Sequence, residues 1–446
     1  MRSRIPLRFL GLFVCLGALV LSLPAATFDK ENVQVHQLAN GLKVLLVEDH
    51  GIPNIALYTF FRVGSRNERP GLTGVSHFIE HMMFNGTADF GPGEFDRRME
   101  FLGGSNNAYT GDDLTAYTDW FPAAALDTML RMESDRMQGL IFEPKVFESE
   151  RGVIASERRL SVENNNDAIL YENVRATAIM AHPYHWDVIG WMSDILGWRR
   201  DEVIAYYHTY YSPNNAVLIM VGDFDPAPAL SLIRKYYEPV KASPAPPPIV
   251  TVEPPQIGPK SVLVRKEAQV PSFLVAWHEP GAREADFLPL AVLTKPLLDG
   301  ESSRLYRRLV REEQLAISVR GGNQETIDPF LFTISVKPRP GADLDRIEKV
   351  IEEELDKVKS EGITQRELEK ALNITRTDFY QSLETIAGKA NQLGSAEVIL
   401  GDHTKLFTLM DSYSAVTLDS VREVARKIFQ ENNKTTGRLV PEGGAR

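Results

Sequence analysis

The sequence predicts an α+β protein of two related domains, in each of which strands come first and helices follow. Three observations lead there. The composition is globular, with 446 residues of which 43% are hydrophobic and 24% charged, enough for at least two cores of ordinary size. The Pro-rich stretch Ser243 to Lys260 divides the chain near its middle, because proline suits neither a helix interior nor a central strand. On both sides of that break, strand-like runs come first and helical periodicity follows. One order of elements used twice suggests a duplicated unit.

Taken in order, residues 1–26 have the layout of a cleavable secretory signal. Arg2, Arg4 and Arg8 precede the uncharged apolar run Phe9 to Leu23, and Pro24, Ala25 and Ala26 follow it. That run has 15 residues, against the roughly 20 that a membrane-spanning helix needs. The expected setting is periplasmic or secreted, with membrane anchoring if the signal stays uncleaved. Residues 27–242 are the first predicted domain. Its strand-like runs are Leu42 to Val47 and Ile55 to Val63, separated by Gly51 and Pro53. Helical periodicity follows at Val75 to Phe84, Leu126 to Met137 and Val146 to Leu160. Met129, Met132 and Met137 read as core filler. Residues 243–260 are the linker. Residues 261–446 repeat the order, with strands at Val262 to Val264 and Phe273 to Trp277. Helical pattern then appears at Leu288 to Leu293, Leu305 to Leu309, Leu344 to Val358 and unbroken from Arg366 to Val398.

Charge and cysteine content limit the function. The net charge of -11 becomes -14 once the three arginines of the leader are removed, the wrong sign for a nucleic-acid binder. The single cysteine, Cys15, lies in the leader, which excludes a disulfide framework and a Cys-based zinc cluster and suits an oxidising compartment. A metal, if held, must be held by histidine and carboxylate.

The sharpest local feature is His77-Phe78-Ile79-Glu80-His81. Residues four apart share a helix face, so both imidazoles can address one ion with Glu80 beside them. Thr73 and Ser76 are capping types near the start, and Val75, Phe78, Ile79 and Met82 supply an apolar side. A pair of partly buried, hydrogen-bonded histidines is the plain alternative. Catalytic zinc usually takes three protein ligands, and the third should be a carboxylate or another histidine. Glu150 and Glu157 lie seven residues apart in a helical pattern and so share a face at about 10 Å separation. Spacing does not choose between them, and Glu143, Glu148 and Glu163 remain outside candidates.

The wider context resembles a known family. Asn40-Gly-Leu, Val63-Gly-Ser-Arg, Glu68, Gly71 to Thr73 and HFIEHMMFNGT from His77 to Thr87 are similar to the N-terminal region of the M16 metallopeptidases. That family includes pitrilysin, insulin-degrading enzyme and mitochondrial processing peptidase. Leu102-Gly-Gly with Asn107 to Thr110, Glu150 to Glu157, His182-Pro-Tyr, Gly190 and Tyr207 to Asp223 continue the likeness. The length resembles half-size members that pair as separate chains. The resemblance implies the LuxS/MPP-like metallohydrolase fold, each domain a mainly antiparallel β-sheet packed with helices, and one Zn2+ held by His77, His81 and Glu157. It further implies Glu150 as an accessory glutamate, Glu80 as general base, and Asn107, Ala108 and Tyr109 in a substrate-binding edge strand. Extended oligopeptides bound by strand addition are then the expected substrates.

The second half departs from the pattern. Phe287 to Ala291 replaces H-x-x-E-H, so one zinc site per chain is the maximum. Where the family has a substrate-binding Arg and, seven residues on, a Tyr, this chain has Val310 and Ile317; Arg311 is one residue out of place, and Tyr306 lies nearby. The expected partner is a second, similar subunit carrying the Arg/Tyr pair. A noncatalytic scaffold or assembly subunit is the alternative from another class. His182, His185 and Trp186 read as a packed loop rather than a second metal site, and His208 as part of a helix end on the sheet.

Overall fold

The computed structural model describes residues 28–442, so the signal-peptide reading of residues 1–26 lies outside the described residues. Strands β1 (Gln34–Gln37), β2 (Lys43–Glu48), β3 (Asn54–Phe61), β4 (Ser105–Thr110), β5 (Thr115–Pro122) and β6 (Ala216–Gly222) form one sheet. Their order is β1-β2-β6-β3-β5-β4. Strands β7 (Lys260–Lys266), β8 (Ser272–Glu279), β9 (Ala316–Gly322), β10 (Phe330–Pro338) and β11 (Lys434–Pro441) form a second, in the order β7-β11-β8-β10-β9. Without β1 the two orders coincide. Each has one parallel pair, β2 with β6 and β7 with β11, and is otherwise antiparallel. Strand β4 is the free edge of the first sheet, and β9 holds the same place in the second.

Helices of the first half include α1 (Val75–Met82), α2 (Glu94–Phe101), α3 (Leu126–Gln138), α4 (Pro144–Arg158) and α5 (Asn166–Ala178). The inner face of the first sheet, with Val44, Leu46, Leu57, Leu218 and Met220, packs on Phe78 and Ile79 of α1 and Met129 of α3. Its other face carries Leu45, Val47, Phe60, Val217 and Ile219, and these are covered by Ile386, Ala390 and Leu393 from the second half. With apolar residues on both faces, β6 reads as the unbroken buried run AVLIMVG. The favour is returned: Leu170, Val174 and Ala178 of α5 cover Leu274, Ala276 and Leu439 of the second sheet. Each half therefore lends a helix to the other's sheet. Glycines allow the close approach, since a Cβ on Gly394 would overlap the Phe60 ring and one on Gly437 would overlap Val174. Glu397 adds an ion clamp, bonded to Lys43 Nζ at 2.7 Å and Arg62 Nη2 at 2.9 Å.

Two elements differ from the sequence expectation. The helical pattern from Arg366 to Val398 is interrupted, as helix Gln365–Ser382 ends and Ile386–Ser395 begins. Thr385 caps the restart by accepting from the Gly388 amide at 2.9 Å, and Gly388 leaves room for the Ser382 carbonyl. Helix α5 was not expected. Its apolar stripe is interleaved with Glu172 and Arg175, which are buried because each is paired, Glu172 with Arg158 and Arg175 with Asp112.

Candidate metal centre and active site

Helix α1 starts at Gly74, whose φ of 83° favours glycine. Thr73 and Ser76 do not cap it, contrary to the expectation. The Glu68 carboxylate does, accepting from the Gly74 and Ser76 amides at 2.8 Å each, while Thr73 Oγ1 donates to Asp194 at 2.7 Å and Ser76 Oγ to the Gly64 carbonyl at 3.1 Å. Burial pushes the Glu68 carboxyl up to about 8, against the pull of both amides. The positive end of the helix dipole likewise favours the ionised form and opposes that rise.

Held this way, α1 presents His77 and His81 with ring centroids 4.8 Å apart. Glu157, on α4, lies opposite. Its Oε1 is 3.8 Å from His77 Nε2, and its Oε2 is 3.7 Å from His81 Nε2. The three donor atoms lie within 4.8 Å of one another. Zinc bonds of about 2.0–2.2 Å require tetrahedral ligand separations of about 3.3–3.6 Å, and each carboxylate–imidazole gap lies within about half an ångström of that range. Burial, helped by the neighbouring His81, drops the His77 pKa to about 4, leaving the neutral imidazole that a metal requires.

Glu150 has the other position on α4. Its Oε1 accepts from His81 Nδ1 at 2.8 Å and its Oε2 from Asn85 Nδ2 at 3.0 Å. The His81 hydrogen bond, working against burial, lowers the Glu150 pKa. For His81, burial opposes protonation, and the bond and charge of Glu150 outweigh it to raise the pKa. Glu150 thus turns His81 Nε2 towards Glu157, which the seven-residue spacing left open. Arg158, beside Glu157, is buried and bonds Glu172 of α5 and the Gly190 carbonyl. Gly190 packs on Thr73 and Gly74, so one guanidinium ties α4 to the start of α1.

Glu80 projects beside the two histidines and accepts from Thr110 Oγ1 at 2.6 Å. Burial raises its pKa against that hydrogen bond, in the direction a general base needs. Thr110 ends β4. The Gly111 amide donates to the Leu114 carbonyl, and antiparallel alternation then turns the main-chain groups of Asn106, Ala108 and Thr110 away from β5. Ala108 offers a free backbone. The backbone of Asn107 is engaged with β5, leaving only its side chain, and Tyr109 faces the second half, its hydroxyl donating to Asn391 at 2.9 Å. Glu68, Asn85 and Thr110 were missed as site residues. Asn85 alone carried a local signal, following His81 by four residues just beyond the end of α1.

The remaining candidates lie elsewhere. Glu143 caps α4 through the Val146 amide, Glu148 faces Arg151, and Glu163 lies 3.7 Å from Arg158. His182 faces Asp328 and accepts from the Tyr184 amide, His185 bonds the Ile179 carbonyl and Trp186 that of Ser65. These side chains are a packed loop. His208 is exposed on its helix rather than set against the sheet. Glu397, Asp402 and His403 also lie close together, but Lys43 and Arg62 already neutralise Glu397. In the second half, Ile317 is exposed on β9, and Arg311 is paired with Glu301 beside the Tyr306 ring. Gln314, just ahead of β9, has a φ of 51°.

Comparison with known proteins matches residues 43–190 to the family model "Insulinase (Peptidase family M16)" and residues 197–375 to "Peptidase M16 inactive domain". The chain is 30% identical to zinc protease PqqE of Helicobacter pylori over 97% of its own length and 98% of that protein's. Among solved structures, a protease from Helicobacter pylori superposes with a TM-score of 0.88 at 30% identity, covering 92% of this chain and 99% of that one. The periplasmic protease PqqL from Escherichia coli shares the fold with a TM-score of 0.76 at 21% identity. That match covers 93% of this chain and 48% of PqqL.

Proposed function

The chain belongs to peptidase family M16, and from that premise we propose that it is a zinc-dependent endopeptidase acting on extended oligopeptides. The carrying observation is the convergence of His77, His81 and Glu157 with Glu80, which is itself bonded to the end of an edge strand. Zinc in this site would supply Lewis acidity, polarising the scissile carbonyl and easing deprotonation of the attacking water. The protein's own part starts with the backbone groups of Ala108 and Thr110, which pair with a peptide lying along β4 and hold it extended. His77 stays neutral through burial, and Glu150 fixes His81. The Glu80 carboxylate accepts the proton of the attacking water and returns it to the departing amine.

A partner subunit is part of the proposal. Val310 and Ile317 cannot donate to a developing oxyanion, and Arg311 is engaged with Glu301. An oxyanion donor contributes roughly 10² to 10³ in rate, so a second chain with Arg and Tyr in that block would complete the site. The order of residues 1–26 supports export to a periplasmic or extracellular setting, and among the described residues no helix is long and apolar enough to cross a membrane.

The match of the second half to an inactive-domain model favours one rival, a scaffold subunit without turnover. Glu80→Gln discriminates. With metal content and peptide cleavage measured together, the peptidase reading expects about one zinc per chain retained and cleavage reduced by about 10² to 10⁴. A scaffold has no zinc-dependent turnover to lose.

A further inference from the structure

We propose that Thr110 is a positioning residue that couples peptide docking on β4 to the orientation of Glu80. The inference rests on the peptidase reading above. Thr110 faces two ways. Its main-chain N–H and C=O lie on the unpaired side of β4, where an added strand would bond, and its hydroxyl donates to Glu80 Oε2 at 2.6 Å. With Oε2 occupied, Oε1 is the oxygen left to take a proton. A carboxylate without that bond rotates about its terminal torsion, whose wells are broad, and spends less time aimed at the water.

The surroundings keep Thr110 from yielding. Its Oγ1 lies 3.4 Å from Thr115 Oγ1, which donates to the Val63 carbonyl at 2.9 Å. Thr115 Oγ1 is also 3.3 Å from the Tyr211 hydroxyl, and that hydroxyl donates to the Ser76 carbonyl on α1 at 3.2 Å. All three hydroxyls donate elsewhere, so these two oxygen contacts carry no proton, and Thr110 is held by its own bond to Glu80 and by packing against Thr115. The turn after Thr110 is fixed from the second half of the chain. Asp113 accepts from the Ile327 amide at 2.9 Å and from the Tyr184 hydroxyl at 2.6 Å, and Arg66 bridges to Asp328. A half without metal ligands therefore helps to hold the base.

The test is steady-state cleavage of a fluorogenic oligopeptide by the zinc-loaded chain, with its partner if turnover requires one. Thr110→Val keeps the shape and removes the hydroxyl, Thr110→Ala is a second hydroxyl-free variant should Val disturb folding, and Thr110→Ser restores the donor. Expected are a kcat loss of about 10- to 100-fold for Val and Ala with KM and zinc content little changed, and recovery to within about threefold for Ser. The proposal is overturned by an unchanged kcat in Val and Ala, by an effect confined to KM, or by a Ser variant as impaired as Val. A wild-type chain that holds zinc but shows no turnover even with its partner would overturn the peptidase reading itself, and the coupling with it.

Discussion

Glu150 shows how much of the centre is decided one atom away from the metal position. It accepts from the far nitrogen of His81, and partners of that kind typically affect metal affinity by about 10- to 100-fold. Glu150→Ala should weaken zinc binding by that factor, read by chelator competition, while turnover at saturating zinc falls much less. Unchanged affinity would assign Glu150 a packing role only. His77, His81 and Glu80 were legible in the sequence because helix spacing alone places them together. Spacing made Glu150 and Glu157 legible only as a pair, since both lie on one face and the approach angle of α1 separates them; their roles were readable only through the family resemblance. Glu68 and Thr110 stood in the blocks that carry the resemblance, but their bonding roles left no local trace, because what they bond is set by how the chain returns and not by neighbours in sequence.

At the scale of elements, periodicity reports that a face is apolar but not what it meets. The strands around Leu42 to Val47 and Ile55 to Val63 were readable from their β-branched and aromatic runs. Nothing in the pattern of Ile386–Ser395 says that it covers the first sheet, or in that of α5 that it covers the second. Gly394 makes the difference measurable. In an isolated helix, Gly→Ala gains about 1 kcal/mol, but here the new methyl overlaps the buried Phe60 ring, and overpacking costs about 1–3 kcal/mol. Gly394→Ala should therefore be net destabilising in urea unfolding, whereas a stabilised variant would mean that the interface has the slack to absorb a methyl group.

For the whole molecule, the clamp at Glu397 predicts acid sensitivity. Burial would raise this carboxyl, but donors from His403 and Lys43 outweigh it and bring the pKa from 4.5 down to about 2. A depressed carboxylate stabilises fully above its unfolded value, and the contribution is lost as the pH falls from about 4.5 through about 2. Denaturant midpoints measured from pH 5 down to about pH 3 should fall for the native chain and fall less steeply for Glu397→Gln. Equal slopes would remove Glu397 from the account of how the halves hold together.

The exchange of helices gives the Pro-rich stretch a different meaning from that of a hinge. Two halves that each complete the other's sheet behave as an intramolecular dimer, and the connector sets their effective concentration, on the order of millimolar for a short flexible tether. Its covalent continuity thus determines dilution behaviour rather than architecture. A chain nicked between residues 243 and 259 would keep its shape at high concentration and lose it, together with the grip on Glu80, on dilution.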